Sequence, residues 1–238
     1  MYRERVSGLT VRMSGGIDGK AGGAGPAVVL MHGFGAPGDD LVDLAQTVAV
    51  PTGTRWFFPA APLSIPMGWG ESLGWWMLDL ERRQRASSSE RARAIAQEIP
   101  AGLREARERL SAFLDDLTGH YRLDPEYTVL GGFSQGAMLA CDVVLRTSAP
   151  WAGLVLLSGA LLAQDEWHPL IAKRRELEVF MSHGQLDPIL PALGAQQLRA
   201  LLAAAGLRVE WHDFHGGHEI PEFIVDRLGG FLHRTLKR

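Results

Sequence analysis

Five short apolar runs and a sixth, mixed strand-like run, each stopped by a turn containing glycine or proline, set the narrowest limit on how this chain can fold. Residues 27–31 are apolar throughout and end at His32-Gly33-Phe34-Gly35. Residues 55–58 end at Pro59, 127–130 at Gly131-Gly132, 153–157 at Ser158-Gly159, 178–182 at His183-Gly184, and 208–214 at His215-Gly216-Gly217-His218. Continuous runs of this kind fit strands covered on both faces. Between them, residues 41–48, 135–146, 192–202 and 220–236 carry the helical period. Strand and helix in alternation predict an α/β protein with a mostly parallel central sheet and helices on both faces.

The ends of the chain and one charged tract read differently. Residues 7–13 alternate weakly and predict an edge strand, and 15–26 predict a flexible, glycine-rich connection. All 238 residues are expected to form a single domain, with 1–26 as its N-terminal edge strand and connection. Between Arg82 and Arg109 lie eight arginines and four glutamates. Ile95, Ile99, Leu103, Ala106, Leu110 and Leu114 recur there every three or four residues, so the arginines fall on a solvated face of a helix that Pro100 kinks or divides. A net charge of −3 argues against a nucleic-acid binder. Cys141, the lone cysteine, forms no internal disulfide and reads as a small core residue. No run has the length of a membrane span or the pattern of a secretion signal, and the expected compartment is the cytoplasm.

The chemistry concentrates in Gly132-Phe133-Ser134-Gln135-Gly136, which follows an apolar run and opens a helical one. A G-x-S-x-G in that context is a tight turn that presents the serine hydroxyl at the C-terminal edge of the sheet, beside a helix N-terminus. A serine hydroxyl needs a base, and the base needs an orienting carboxylate. His218, behind Gly216-Gly217 after the last strand, is the expected base. His212 and His215 belong to that strand or its end, and His32 and His183 read as structural. Asp187 completes the order serine, acid, histidine. Asp165 is the reserve acid, and Asp213 lies too close in sequence to His218. The amides of Gln135 and Phe34 are the expected oxyanion donors. His212, His215 and His218 are spaced as a metal triplet, but on a strand residues three apart face opposite sides, so no metal site is expected.

These segments together resemble the α/β-hydrolase superfamily, and within it the phospholipase/carboxylesterase group that includes the acyl-protein thioesterases. The resemblance rests on residues 30–35, Phe58-Pro59-Ala60-Ala61-Pro62, residues 131–137, His183-Gly184 with Asp187-Pro188, and Gly216-Gly217-His218. It implies the α/β-hydrolase fold and a serine carboxylesterase that acts on acyl esters or thioesters through an acyl-enzyme, without a cofactor. It also implies that Trp75-Trp76-Met77-Leu78-Asp79 lies beside the acyl site. Trp75, Trp76, Met77 and Ile189 are the expected substrate contacts, and Trp56, Trp69, Trp75 and Trp76 form either an aromatic wall for an acyl chain or ordinary core. The turn 36–40 and residues 64–74 depart from the thioesterase pattern. The expected partner is a small acyl ester or thioester, with no nucleic acid and no integral membrane association, and a homodimer is allowed. A peptidase, a lactone hydrolase and a non-catalytic ligand-binding module are the alternatives on the same framework.

Overall fold

The computed structural model describes residues 1–66, 70–78 and 87–237. Met67, Trp69, Asp79 and the arginines Arg82, Arg83 and Arg85 lie outside the described residues. β1 (Tyr2–Val6) and β2 (Leu9–Gly15) form a hairpin, followed by β3 (Ala27–Met31), β4 (Arg55–Pro59) and a small ribbon of β5 (Leu63–Ser64) and β6 (Leu73–Gly74). β7 (Thr128–Phe133), β8 (Gly153–Leu157), β9 (Glu178–Gly184) and β10 (Arg208–Phe214) complete the strands. The main sheet has the order β1-β2-β4-β3-β7-β8-β9-β10. It is parallel from β4 to β10 and antiparallel only where β2 pairs β1 and β4.

The predicted edge strand is therefore half of a hairpin, turning at Ser7 and Gly8, both with positive φ. β2 shows the alternation, burying Leu9, Val11 and Met13, whereas β1 reads YRERV and buries only Val6. The expected flexible connection is a closed loop. Gly16 bridges Gly22, and Asp18 Oδ1 accepts from the amides of Lys20 and Gly22 at 2.7 and 2.9 Å. Arg55, 1% exposed, donates from its guanidinium to the carbonyls of Gly23, Gly25 and Tyr121, fastening that loop to the sheet.

The helices are α1 (Leu44–Thr47), α2 (Ser88–Gln97), α3 (Leu103–His120), α4 (Gln135–Arg146), α5 (Gln164–Ile171), α6 (Ala192–Ala204) and α7 (Glu222–Leu236). Alternate strand residues feed two cores. Val28, Leu30, Phe58, Val129, Val155 and Phe180 pack with Leu44 of α1 and with Ile224, Leu228 and Phe231 of α7. Val29, Met31, Phe57, Leu130, Leu156 and Met181 pack on the other face with α2 through α6. Pro100 divides the arginine-rich tract between α2 and α3, and Ile99, expected on the buried stripe, is 59% exposed because the break takes it off the helix. The period at 41–48 yields only the single turn of α1. Trp56 stacks on Phe58 in one core while Trp75 and Trp76 lie in the other, so these three tryptophans form no common wall.

Candidate active site

Ser134 is the single residue between β7 and α4, with φ 55° and ψ −116°. Positive φ at a non-glycine residue costs about 1–3 kcal/mol and persists only where neighbours enforce it. Here the Ser134 N–H donates to the Leu157 carbonyl at 2.8 Å, and its own carbonyl accepts from Met138 at 3.1 Å. The flanking glycines are steric necessities. A Cβ on Gly132 would lie 2.5 Å from the Met31 oxygen, and one on Gly136 only 2.1 Å from the same atom. The turn thus wedges against the end of β3 and leaves the serine largely buried at the sheet edge.

Asp187 and His218 meet from the loops after β9 and β10. His218 Nδ1 lies 2.6 Å from Asp187 Oδ2, which places the proton on Nδ1 and leaves Nε2 without a partner among the described residues. Asp187 Oδ1 accepts from the amides of Ile189 and Leu190 at 2.8 and 2.9 Å. His183, fully buried, donates from Nε2 to the Leu190 carbonyl at 2.8 Å and lies 3.3 Å from Asp187 Oδ2. Burial would raise the carboxyl pKa. The hydrogen bonds from His183 and His218, the attraction of the His218 charge and the Leu190 amide outweigh it and hold Asp187 well below the usual carboxylate range. The loops come this close because Gly184 has no side chain: a Cβ there would sit 2.0 Å from the Gly217 oxygen.

Ser134 and His218 border one cavity of about 210 Å³, walled by Gly33, Phe34, Leu78, Phe133, Met138, Ile189 and Leu190, with Asp40 as its one carboxylate among the described residues. No hydrogen bond joins the serine hydroxyl to the imidazole in this structure; unliganded sites often hold such pairs loosely. The Phe133 ring packs 4.7 Å from the His218 ring. Gly33 abuts the serine so closely that a Cβ on it would lie 3.3 Å from Ser134 Cβ. The Phe34 and Gln135 amides donate to no acceptor among the described residues. Phe34 is held in place because the Gly35 N–H donates to the Leu73 carbonyl at 2.8 Å and the Leu73 N–H donates to Ala36 at 2.9 Å.

The remaining candidates go elsewhere. Of the four expected substrate contacts, only Ile189 borders the cavity; Leu78 does so as well. Trp75 and Trp76 are buried behind it, and Met77 is 55% exposed. The reason is the Gln135 side chain, which accepts from the Trp75 amide and donates to the Trp76 carbonyl, both at 2.8 Å, turning that tract inward. Sequence reading assigned Gln135 an amide role only, and nothing local marks a side-chain contact to a tract so far away along the chain. His32 donates from Nδ1 to the Gly33 carbonyl and accepts at Nε2 from Ala61, and burial holds its pKa below the ordinary imidazole value. Asp165 lies exposed in the first turn of α5 rather than in a loop. Asp213 pairs with Gln185, His212 with Glu210, and His215 is exposed, so the spaced histidines face different partners. Cys141 is fully buried in α4, and burial raises its thiol pKa.

A family profile described as Phospholipase/Carboxylesterase matches residues 17–236. Acyl-protein thioesterase 1 of Gibberella zeae is 32% identical over 116 residues, 47% of this chain and 49% of that relative. Acyl-protein thioesterase 1 of Kluyveromyces lactis is 29% identical over 178 residues, 72% of this chain and 74% of the relative. The chain thus spans about half the length of the Gibberella relative in that match. Among solved structures, esterase PE8 is 31% identical with a TM-score of 0.78, covering 94% of this chain and 97% of the other. The Bacillus cereus carboxylesterase, 20% identical over 95% of this chain and 94% of its own, shares the fold with a TM-score of 0.68.

Proposed function

We propose, since the chain belongs to the phospholipase/carboxylesterase family of hydrolases, that on its α/β-hydrolase fold it cleaves carboxylic esters or thioesters through a covalent acyl-serine. Ser134 Oγ attacks the carbonyl carbon while His218 Nε2 takes its proton. Asp187 keeps the imidazole oriented and stabilises the imidazolium. The tetrahedral oxyanion turns toward the free amides of Phe34 and Gln135, each worth roughly 2.7–4 kcal/mol of barrier in comparable sites. Collapse expels the alcohol or thiol, which leaves with the proton from His218. Water, deprotonated by the same ring, then attacks the acyl-serine and releases the acid, restoring the hydroxyl.

The observation that carries this reading is the 2.6 Å contact of His218 with Asp187 on the wall of the cavity that Ser134 also borders. The apolar wall of that cavity favours an acyl group small enough to fit about 210 Å³. The curated relatives are named as acyl-protein thioesterases, which supports including thioesters among the substrates. The test is Ser134→Ala. It should abolish labelling by a fluorophosphonate probe and lower p-nitrophenyl acetate turnover by about 10³-fold or more. Turnover and labelling equal to those of the wild type would overturn the assignment.

A further inference from the structure

A second cavity, of about 450 Å³, lies against the β1–β2 hairpin, and none of the described residues that line it borders the cavity of Ser134. Arg3 and Arg5 reach it from β1, Arg12 from β2 and Arg109 from α3, against two carboxylates among the described residues, Asp39 and Glu71. This is an excess of positive charge on a chain whose net charge is −3. The strand register makes the excess costly. Arg3 stands directly opposite Arg12, and Arg5, two residues along, shares the face of Arg3. Like charges placed opposite each other on an antiparallel pair destabilise it. Asp39 answers only one of them, with its Oδ2 3.1 Å from Arg12 Nη2. The guanidiniums of Arg3, Arg5 and Arg109 have no carboxylate or hydrogen-bond partner among the described residues.

Three unanswered guanidinium forks around one concavity present more donors than a carboxylate, with two oxygens, can accept. A phosphate group offers more acceptor oxygens and up to two charges, and guanidinium binds it bidentately. We propose that this cavity binds a phosphate group through Arg3, Arg5, Arg12 and Arg109. The phosphate belongs either to a soluble phosphate ester or to a lipid headgroup, and the two sources share the same contacts.

The purified full chain is titrated calorimetrically with inorganic phosphate and with glycerol 3-phosphate. It is also sedimented with phosphatidylcholine vesicles with and without phosphatidic acid. Saturable binding that weakens with added salt is expected. The double variant Arg3→Gln/Arg5→Gln should lose about tenfold or more in affinity, while Arg93→Gln, the loss of an exposed arginine of α2 outside the cavity, should change nothing. Binding of the soluble phosphates alone identifies a soluble ester, and binding only to phosphatidic acid vesicles identifies a headgroup; either supports the site. Should the double variant fail to fold, Arg109→Gln, on an exposed position of α3, makes the same comparison. No saturable binding to any of the three probes, or equal affinity in the arginine variants and the wild type, overturns the proposal.

Discussion

At Asp187 one carboxylate faces two imidazoles and accepts from two backbone amides. An amide in its place could still accept from those amides but would no longer favour the Nδ1–H tautomer of His218. Asp187→Asn is therefore expected to lower turnover by about 10⁴-fold with the far-ultraviolet circular dichroism unchanged. A loss below tenfold would remove Asp187 from its role. The depressed pKa also fixes the sign of a stability effect. The unfolded chain takes up the proton at a higher pH than the folded one, so the contribution of the ionised carboxylate is complete above the ordinary carboxylate range. It is lost as pH falls through that range toward the lower folded value. Urea unfolding should show the stability gap between wild type and Asp187→Asn narrowing as the pH falls from about 5 to about 3, without vanishing there. At this scale the placing of Asp187 and His218 at neighbouring strand ends was legible in the sequence, because one follows the turn His183-Gly184 and the other Gly216-Gly217. His183 was legible only as structural. Its contact with Asp187 depends on how the 184–190 loop folds back, which no local pattern records.

The elements that hold the site together are the strand ends, and Gly184 shows how tightly they meet. The Gln185 N–H donates to the Phe214 carbonyl at 2.8 Å and the Leu186 N–H to Gly216 at 2.9 Å, which stitches the loop of Asp187 to the loop of His218. A methyl group on Gly184 would lie 2.0 Å from the Gly217 oxygen and 2.5 Å from that of Gly216. Gly184→Ala should force those loops apart and separate His218 from Asp187. The expected outcome is a fall in kcat of about 10²-fold and a loss of about 1–3 kcal/mol in urea unfolding. Wild-type kinetics in that variant would show that the loops yield without cost. A turn at 184 was readable from composition, but the reason only glycine fits there lies in a loop more distant along the chain. The same limit explains Trp75 and Trp76. Their aromatic character was visible beside the expected acyl site, whereas the Gln135 side chain that draws them inward was not.

For the molecule as a whole, the fold class was legible because the interior parallel strands β3, β4, β7, β8 and β9 are covered on both faces and leave largely apolar runs in the sequence. β1 escaped detection because four of its five residues meet solvent, so no hydrophobic pattern marks it. The buried arginine that orders residues 16–26 escaped for a related reason: Arg55 reads as a polar interruption of an apolar run, yet its guanidinium spends its donors on carbonyls. The strand order has a consequence for how the protein fails. Ser134 rides on an interior strand, while His218, the proposed base, hangs from β10, which among the described residues is bonded only to β9 and is half-covered. Peripheral strands open with less free energy than the interior. Under rising guanidinium, ester hydrolysis should therefore disappear before ellipticity does, and superimposable curves would refute this. Mild damage would then silence the protein while most of its scaffold still stood.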